Sequence, residues 1–360
     1  MPIRAISVGV LAIFAAHSFG VESDFRIALG SCAREREPQP IWTEVLATDP
    51  DLFLFIGDNQ YADFWVRDGR MVMAPVEDPS RIREAYEELG AKPGFRRMQR
   101  HCTIMATWDD HDYGANDAGN EYALREESQQ IFLDFWGFPA SAPIREQEGI
   151  YHARVFERDG RRIQVIMLDT RYHRDALERG RRPGARGPYV ATSDASKTIL
   201  GEEQWTWLEG QLELEADVRI IASSIQIIAD EHGYETWGNF PHERQRLYDL
   251  IDETDASGVV FVSGDRHLTE ISRDAGSISG ARVPYPMWDF TSSGMTQRPQ
   301  AIEETNSYRV GPVRRETNFG IVDILWGEGG ASTVIQFTAL GDQGQMLTRQ
   351  SVFLDDLRED

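Results

Sequence analysis

Basic residues, cysteines and long apolar stretches are all scarce in this chain of 360 residues. Lysine and arginine total 37 against 59 acidic residues, so the formal net charge is −22. Proteins that bind nucleic acid present a basic surface to the phosphates, so this charge argues against a nucleic-acid partner and against adhesion to an anionic membrane. After residue 21 no uncharged run approaches the roughly 20 residues of a membrane-spanning helix, so no integral membrane association is expected.

The first twenty residues have the pattern of a signal peptide. Arg4 supplies a positive start, residues 5–16 are apolar, and residues 18–20 offer small side chains for cleavage. A buried N-terminal helix is the alternative, but strand-like sequence follows at once. We therefore predict a periplasmic or secreted protein with a signal peptide at 1–20 and one domain at 21–360. The oligomeric state is left open.

Seven short apolar runs alternate with amphipathic stretches along the chain. The runs lie at 25–29, 52–56, 102–107, 163–168, 220–222, 259–262 and 287–290. Their length and β-branched content are typical of strands buried on both faces. Apolar residues recur at helical spacing in 82–90, 126–135, 204–215 and 241–252. This alternation predicts an α/β fold, in which ligands bind beyond the carboxyl ends of the strands. Two later runs, 319–326 and 332–340, predict a second sheet or an edge.

Polar side chains that can bind ligands follow several of these strands. Asp58 comes after 52–56, and Asp265 comes after 259–262. The densest segment, 108–117, contains Asp110, His111 and Asn116 among further carboxylates. Clustered carboxylates raise one another's pKa values unless a cation offsets their charge, so this segment favours a metal site. A solvated acidic loop is the alternative reading.

Five short motifs follow or end the predicted strands, namely Gly-Ser-Cys at 30–32, Gly-Asp-Asn-Gln-Tyr at 57–61, Thr-Trp-Asp-Asp-His-Asp at 107–112, Asp-Thr-Arg-Tyr at 169–172 and Gly-Asp-Arg-His at 264–267. Together and in this order they resemble the PhoD-like (alkaline phosphatase D) family of metallophosphoesterases. The resemblance extends from about residue 25 to about residue 293. It implies a four-layer α/β/β/α sandwich with two mainly mixed sheets and a metal site at the carboxyl ends of the strands.

The same resemblance implies a metal-binding set. It places four side chains around one ferric ion, namely Cys32, Asp58, Tyr86 and Asp265. Asp58 would bridge to calcium that also involves Asn116, and Asp110 could replace or supplement that amide. Thiolate and phenolate donors suit ferric iron, and carboxylate and amide oxygens suit calcium. A binuclear zinc, manganese or magnesium site is the alternative.

The metal-binding role implied for Cys32 bears on the redox state of the chain. Cys32 and Cys102 are its only cysteines, and an exported protein with two cysteines invites a disulfide. A thiolate bound to a metal cannot also form a disulfide. We therefore expect no bridge, and we expect Cys102 to be a small buried apolar residue.

The implied activity is hydrolysis of a small phosphate ester by a metal-bound hydroxide. His111 is the first candidate for assisting the leaving group, His267 is the second, and Arg266 is grouped with them. A phosphodiesterase or a phospholipase of D type is the alternative enzyme. An exported protein that only binds metal or phosphate is the alternative outside enzymes.

An arginine-rich segment reverses the local charge. Residues 171–186 contain six arginines and two acids, and arginine offers a planar fork for phosphate oxygens. We predict that Arg171, Arg179, Arg181 and Arg182 bind the substrate. For Arg171, as for Asp169, support of the pocket wall is the alternative role. A solvated loop with compensating ion pairs is the alternative.

Overall fold

A computed structural model describes residues 23–298, 304–327 and 332–358, so the predicted signal peptide at 1–20 lies outside the described residues. The strands are β1 (Phe25–Gly30), β2 (Leu52–Ile56), β3 (Phe64–Arg67), β4 (Arg70–Met73), β5 (Thr103–Thr107), β6 (His152–Arg158), β7 (Arg161–Met167), β8 (Glu178–Arg179), β9 (Tyr189–Val190), β10 (Val218–Ser223), β11 (Val259–Ser263), β12 (Thr269–Asp274), β13 (Met287–Ser292), β14 (Asn318–Leu325), β15 (Val334–Gly341) and β16 (Met346–Phe353). The helices are α1 (Trp42–Ala47), α2 (Ser80–Ala91), α3 (Pro93–His101), α4 (Asp110–Tyr113), α5 (Arg125–Phe135), α6 (Gly201–Leu212) and α7 (Pro241–Glu253).

Two mixed sheets of six strands contain all seven predicted strands. The first sheet has the order β16-β15-β14-β1-β2-β5, and the second has the order β12-β13-β11-β10-β7-β6. Strands β1, β2 and β5 are parallel in the first sheet, and β7, β10, β11 and β13 are parallel in the second. The late strands β14 and β15 extend the first sheet, where β14 pairs antiparallel with β1 and β15 pairs antiparallel with β14. The prediction of a second sheet or an edge for these two runs is wrong, because β16 pairs with β15 and forms the edge beyond them.

Successive side chains on the central strands of the first sheet point alternately into two different hydrophobic clusters. Ile27 and Leu54 belong to a core cluster that also contains the apolar residues of the second sheet and of α6 and α7. Ala28 and Phe53 face the other way, into a cluster with residues of α1, α2, α3 and α5. Because neighbouring side chains on a strand point to opposite faces, the order of layers is helices, first sheet, second sheet, helices. The predicted α/β/β/α sandwich is confirmed.

The carboxyl ends of the parallel strands of both sheets lie together at one edge of the sandwich. Residues directly after β1, β2 and β5 meet residues after β11 there. Cys102 lies at the opposite edge, because it comes just before β5, which runs parallel to β2 and β1. Both cysteines are free thiols, and a strand of five residues spans about 17 Å, well beyond the reach of a disulfide.

Among the helices that the structure describes, each is too short or too polar to cross a lipid bilayer. That one domain occupies 21–360 stays a prediction.

Candidate active site

Unusual backbone conformations mark the ends of three central strands. Cys32 after β1, Asp58 after β2, and Asp265 with His267 after β11 have φ angles of 59°, 51°, 67° and 58°. Left-handed backbone at residues other than glycine is uncommon and costs about 1–3 kcal/mol each, and it concentrates at functional sites. Four such residues at one edge therefore indicate a site whose geometry is held by the surrounding fold.

Close backbone packing brings these strand ends together. A Cβ atom on Gly264 would lie 2.6 Å from the carbonyl oxygen of Ile56, the last residue of β2. A Cβ atom on Gly57 would lie 2.6 Å from the Cβ of Asp109. Glycine at 264 thus permits a close contact between the two sheets, and glycine at 57 permits one between the ends of β2 and β5 in the first sheet.

The first group of possible metal ligands is Cys32, Asp58 and His267, whose ligand atoms lie within 4.8 Å of one another. The Cys32 thiol is 3.3 Å from Oδ2 of Asp58, and the hydroxyl of Tyr61 donates to the same oxygen at 2.8 Å. Oδ1 of Asp58 is buried and has no hydrogen-bond partner among the residues that the structure describes. A buried carboxylate oxygen without a partner is costly, so this atom fits a cation.

The second group shares Asp58 with the first and adds Asp110 and His111. Nδ1 of His111 lies 2.9 and 3.0 Å from the two carboxylate oxygens of the buried Asp63. The His111 ring also packs on Tyr61, with ring centroids 4.2 Å apart. Asp63 thus fixes the orientation of the imidazole and assigns the Nδ1 proton, which leaves Nε2 for the site.

A third group, Asp110, Asp117 and Glu235, is already close to positive charge. Glu235 pairs with Arg171 at 2.6 Å and with Arg174 at 3.0 Å. Arg171 also binds Asp109, and its side chain is fully buried. Two guanidinium groups therefore offset the acids here, so this group needs a metal less than the other two.

Burial and mutual repulsion govern protonation in the first two groups. Burial raises the pKa values of Cys32 and Asp58 well above their usual ranges, and neighbouring carboxylates add to both shifts. Burial also raises the pKa of Tyr61, again with help from Asp58. A bound cation reverses this tendency because it favours the anionic form of each ligand. The donor set therefore fits a metal.

The two histidines of the site differ in charge. Burial lowers the pKa of His267 to about 3, and Arg266 acts in the same direction, so its imidazole is neutral. Burial also opposes protonation of His111, but Asp110, Asp58 and Asp63 outweigh it and raise its pKa well above the usual value. A neutral imidazole can bind a metal, whereas a protonated one can donate a proton.

The remaining predicted residues are not all gathered at these groups. The hydroxyl of Tyr86 donates to Asp112 at 3.2 Å, and its ring packs on Phe135 in the outer helical layer. The phenol beside Asp58 is that of Tyr61, which sequence reasoning missed. Its signal was its position three residues after Asp58 in the same strand-end motif. Asp63 was missed as well, and nothing in the sequence singled it out.

Asn116, Asp265 and Arg266 do not belong to any of the three groups of possible metal ligands described above. The Asn116 side chain is exposed on the loop after α4. Asp265 presents its backbone carbonyl to the Cys32 thiol at 3.6 Å, while its carboxylate lies 3.8 Å from Arg266. Arg266 pairs with Glu304 at 2.8 Å and lies over the ring of Tyr234. Their predicted roles stay predictions.

The arginine-rich segment forms a short hairpin of β8 and β9 whose tip carries exposed Arg181 and Arg182. Arg179 lies over the ring of Tyr189, whose hydroxyl donates to Asp117 of the third group at 2.6 Å. The hairpin is therefore attached beside the candidate site. Arg171 differs from these arginines because its side chain is completely buried, so it has no exposed atoms with which to bind substrate.

Comparisons with known proteins agree with this fold. A family model for PhoD-like phosphatases matches residues 27–320. Alkaline phosphatase D of Bacillus subtilis (strain 168) is 23% identical in an alignment 186 residues long, which covers 46% of this chain and 31% of that protein. The match therefore spans about a third of the length of that relative.

Three solved structures share the fold at low identity. A structure of PhoD has a TM-score of 0.65 at 17% identity and covers 90% of this chain and 71% of its own. GAP50, the anchor in the inner membrane complex of Plasmodium, has a TM-score of 0.54 at 12% identity, covering 93% and 89%. Purple acid phosphatase PPD1 from yellow lupin seeds has a TM-score of 0.55 at 11% identity, covering 91% and 53%. Because the family model extends over most of the residues and the strand-end motifs lie inside the match, this chain belongs to the PhoD-like phosphatase family.

Proposed function

We propose that this protein is an exported, metal-dependent phosphoesterase. The observation that carries the proposal is the buried Asp58 carboxylate, which joins two groups of possible metal ligands and has one oxygen without a partner. It lies at the carboxyl edge of the sheets in a member of a phosphatase family. Export rests on the signal-peptide pattern of residues 1–20, and N-terminal sequencing of the mature protein tests it.

Cys32, Asp58 and His267 would hold one cation, with Tyr61 beside them, and Asp58 and Asp110 would hold another. The thiol and phenol donors favour ferric iron at the first position, and the carboxylates favour calcium at the second. When bound, the cations would lower the pKa of water and offset the charge of the phosphoryl oxygens.

The protein side chains supply orientation and proton transfer. Asp63 holds Nδ1 of His111, so Nε2 carries the proton that a departing alkoxide needs. The neighbouring carboxylates raise the pKa of His111. Cations held by Asp58 and Asp110 would offset the effect of those two acids, whereas the contact with Asp63 would still favour the protonated imidazole. The exposed arginines of the β8–β9 hairpin would attract an anionic ester toward a molecule whose net charge of −22 otherwise repels it.

The test measures metal content together with hydrolysis of a panel of phosphate monoesters and diesters. Asp58→Asn keeps the shape and tolerates left-handed backbone, yet it removes the charge. We expect this variant to lose cations and at least about a hundredfold in kcat. Asp51→Asn, at the opposite end of β2, is the matched control and should keep both. A metal-loaded protein that hydrolyses no ester would instead be an exported binding protein.

A further inference from the structure

The hairpin of β3 and β4 carries an unusual concentration of exposed apolar side chains. Asp68 and Gly69 at its turn both have positive φ, 50° and 72°, as the tight turns of two-residue hairpins require. Across the described residues nine large apolar side chains are exposed, and Val66, Met71, Val72 and Met73 are four of them. Exposed apolar residues are usually scattered singly, so a group of four on one ribbon indicates contact with something apolar.

Three of these side chains share one face of the ribbon. Phe64 pairs with Met73, and Val66 pairs with Met71. Paired and alternate residues of a two-stranded ribbon lie on the same face, so these four form a continuous apolar stripe. Val66, Met71 and Met73 are 66%, 57% and 46% exposed. We call these four residues the apolar stripe.

The inner end of the apolar stripe is part of the candidate site. The ring of Phe64 lies 5.2 Å from the ring of His111, and the guanidinium of Arg34 lies 4.6 Å above it. The base of the hairpin is fixed where the amide of Ala74 donates to the carbonyl of Asp63 at 3.0 Å. From Phe64 to Val66 the strand advances about 7 Å. The stripe therefore leads from the catalytic histidine outward.

We propose that the apolar stripe binds the alcohol part of the substrate, so the preferred esters are those whose alcohol carries an alkyl chain. This inference rests on the proposed phosphoesterase function, because it places the phosphate at the strand ends and the chain along Phe64, Met73, Val66 and Met71. A second copy of the protein is a poor occupant, since three partly exposed side chains are few compared with the roughly 20–30 residues and roughly 800 Å² per partner of a stable interface.

The experiment uses the metal-loaded protein and n-alkyl phosphate monoesters from ethyl to octyl, all below their micellar concentrations. In these esters the alkyl alcohol is itself the leaving group, and the release of phosphate is measured. On an open face one side of the chain stays in water, so we expect kcat/KM to rise about twofold per methylene. Val66→Ser with Met71→Ser should flatten this rise, so that kcat/KM falls much more for the octyl ester than for the ethyl ester. Val72→Ser, an exposed apolar position on the opposite face of the hairpin, is the matched control and should keep it.

Alkylphosphonates of the same lengths, titrated by calorimetry, give a readout that does not need turnover. Absence of hydrolysis together with chain-length-dependent binding would reject the proposed catalysis and retain the stripe as a ligand site. Equal kcat/KM for all chain lengths in the wild type overturns the inference, as does an unchanged slope in the double variant. A second series with the octyl ester extends above its micellar concentration, and a rate increase seen only there also overturns the inference, because the occupant is then a lipid surface. Dimers that dissociate in the double variant overturn it in favour of a second copy.

Discussion

At the scale of single residues, Tyr61 and Tyr86 are the two candidates for a phenol that takes part in metal binding. The hydroxyl of Tyr61 contacts Asp58, which belongs to both groups of possible ligands, whereas the hydroxyl of Tyr86 contacts Asp112. We predict that Tyr61→Phe lowers the iron content, bleaches any visible charge-transfer band and reduces kcat at least about tenfold. Tyr86→Phe should lose one hydrogen bond, costing about 1 kcal/mol of unfolding free energy, and keep its metal.

Metal analysis, the visible spectrum and kcat of the two purified variants decide between the tyrosines. The two substitutions remove the same atom from equally buried rings, so general destabilisation affects both. If Tyr86→Phe lost iron and Tyr61→Phe did not, the assignment first drawn from the sequence would be restored.

Asp63 is expected to act through His111. We predict that Asp63→Asn lowers kcat about 10- to 100-fold with little change in KM, because the imidazole loses its orientation and its fixed tautomer. In a His111→Gln background the same substitution should cost almost nothing further, since its target is gone. The measurements are kcat and KM for the two single variants and the double variant. Independent, multiplying losses would show that Asp63 has a different role.

At the scale of secondary-structure elements, the β8–β9 hairpin has a predicted electrostatic role. Reversing Arg179, Arg181 and Arg182 to Glu should lower kcat/KM mainly through KM. The loss should shrink as salt is added, because the field is screened over about 10 Å at about 0.1 M. Steady-state kinetics at several salt concentrations measure both effects.

The matched control for this reversal changes the net charge equally but on a distant surface. Arg96, Arg97 and Arg100 are exposed on α3, which leads into the amino end of β5. Their reversal to Glu should leave KM nearly unchanged. Equal effects of the two reversals would assign the change to net charge alone and leave the hairpin without a local role.

Sequence patterns specified the central elements better than the peripheral ones. The seven parallel strands were evident because burial on both faces requires continuous apolar runs such as 52–56. The hairpin of β3 and β4 was missed because its strands are only four residues long and its apolar residues face solvent, so no core pattern arises. Strand β16, at the edge of the first sheet, was also missed. Most of its side chains are partly or fully exposed, so its sequence mixes polar and apolar residues.

The candidate site was predictable only in part. Residues in strand-end motifs, such as Cys32 and Asp58, could be placed because parallel strands end at the same edge of a sheet. Tyr61 and Tyr86 could not be separated, because the choice depends on which side of the loop or helix faces Asp58. The burial of Arg171 could not be predicted from the sequence either. It results from ion pairs with Asp109 and Glu235, both of which lie about sixty positions away along the chain.

At the scale of the whole molecule, metal removal should make stability depend on pH. Burial raises the pKa of Asp112 to about 8, and Asp58 shifts in the same direction. The folded protein then keeps protons that the unfolded chain releases near pH 4, so the unfolding free energy of the chelated protein should fall as pH rises from about 5 to 8. Added cation should raise the melting temperature most at the upper end of this range.

Thermal unfolding of chelated and metal-loaded protein at several pH values measures this difference. Asp58→Asn is the control, because it removes one of the repelling charges and weakens the response to cation. Parallel pH profiles with and without metal would contradict the prediction.

The pairing of β14 with β1 has a consequence for how the chain folds. Phe25 is paired with Ile324, so the strand that begins the first sheet completes its hydrogen bonds only with residues about three hundred positions later. Contacts of such high sequence separation slow folding, because a long loop must close before they form. A nascent or truncated chain that ends before residue 318 would leave β1 as an open strand edge, available to other chains. Cys32 and Asp58, which follow β1 and β2, would then belong to an unfinished sheet until β14 has been synthesised and has paired with β1.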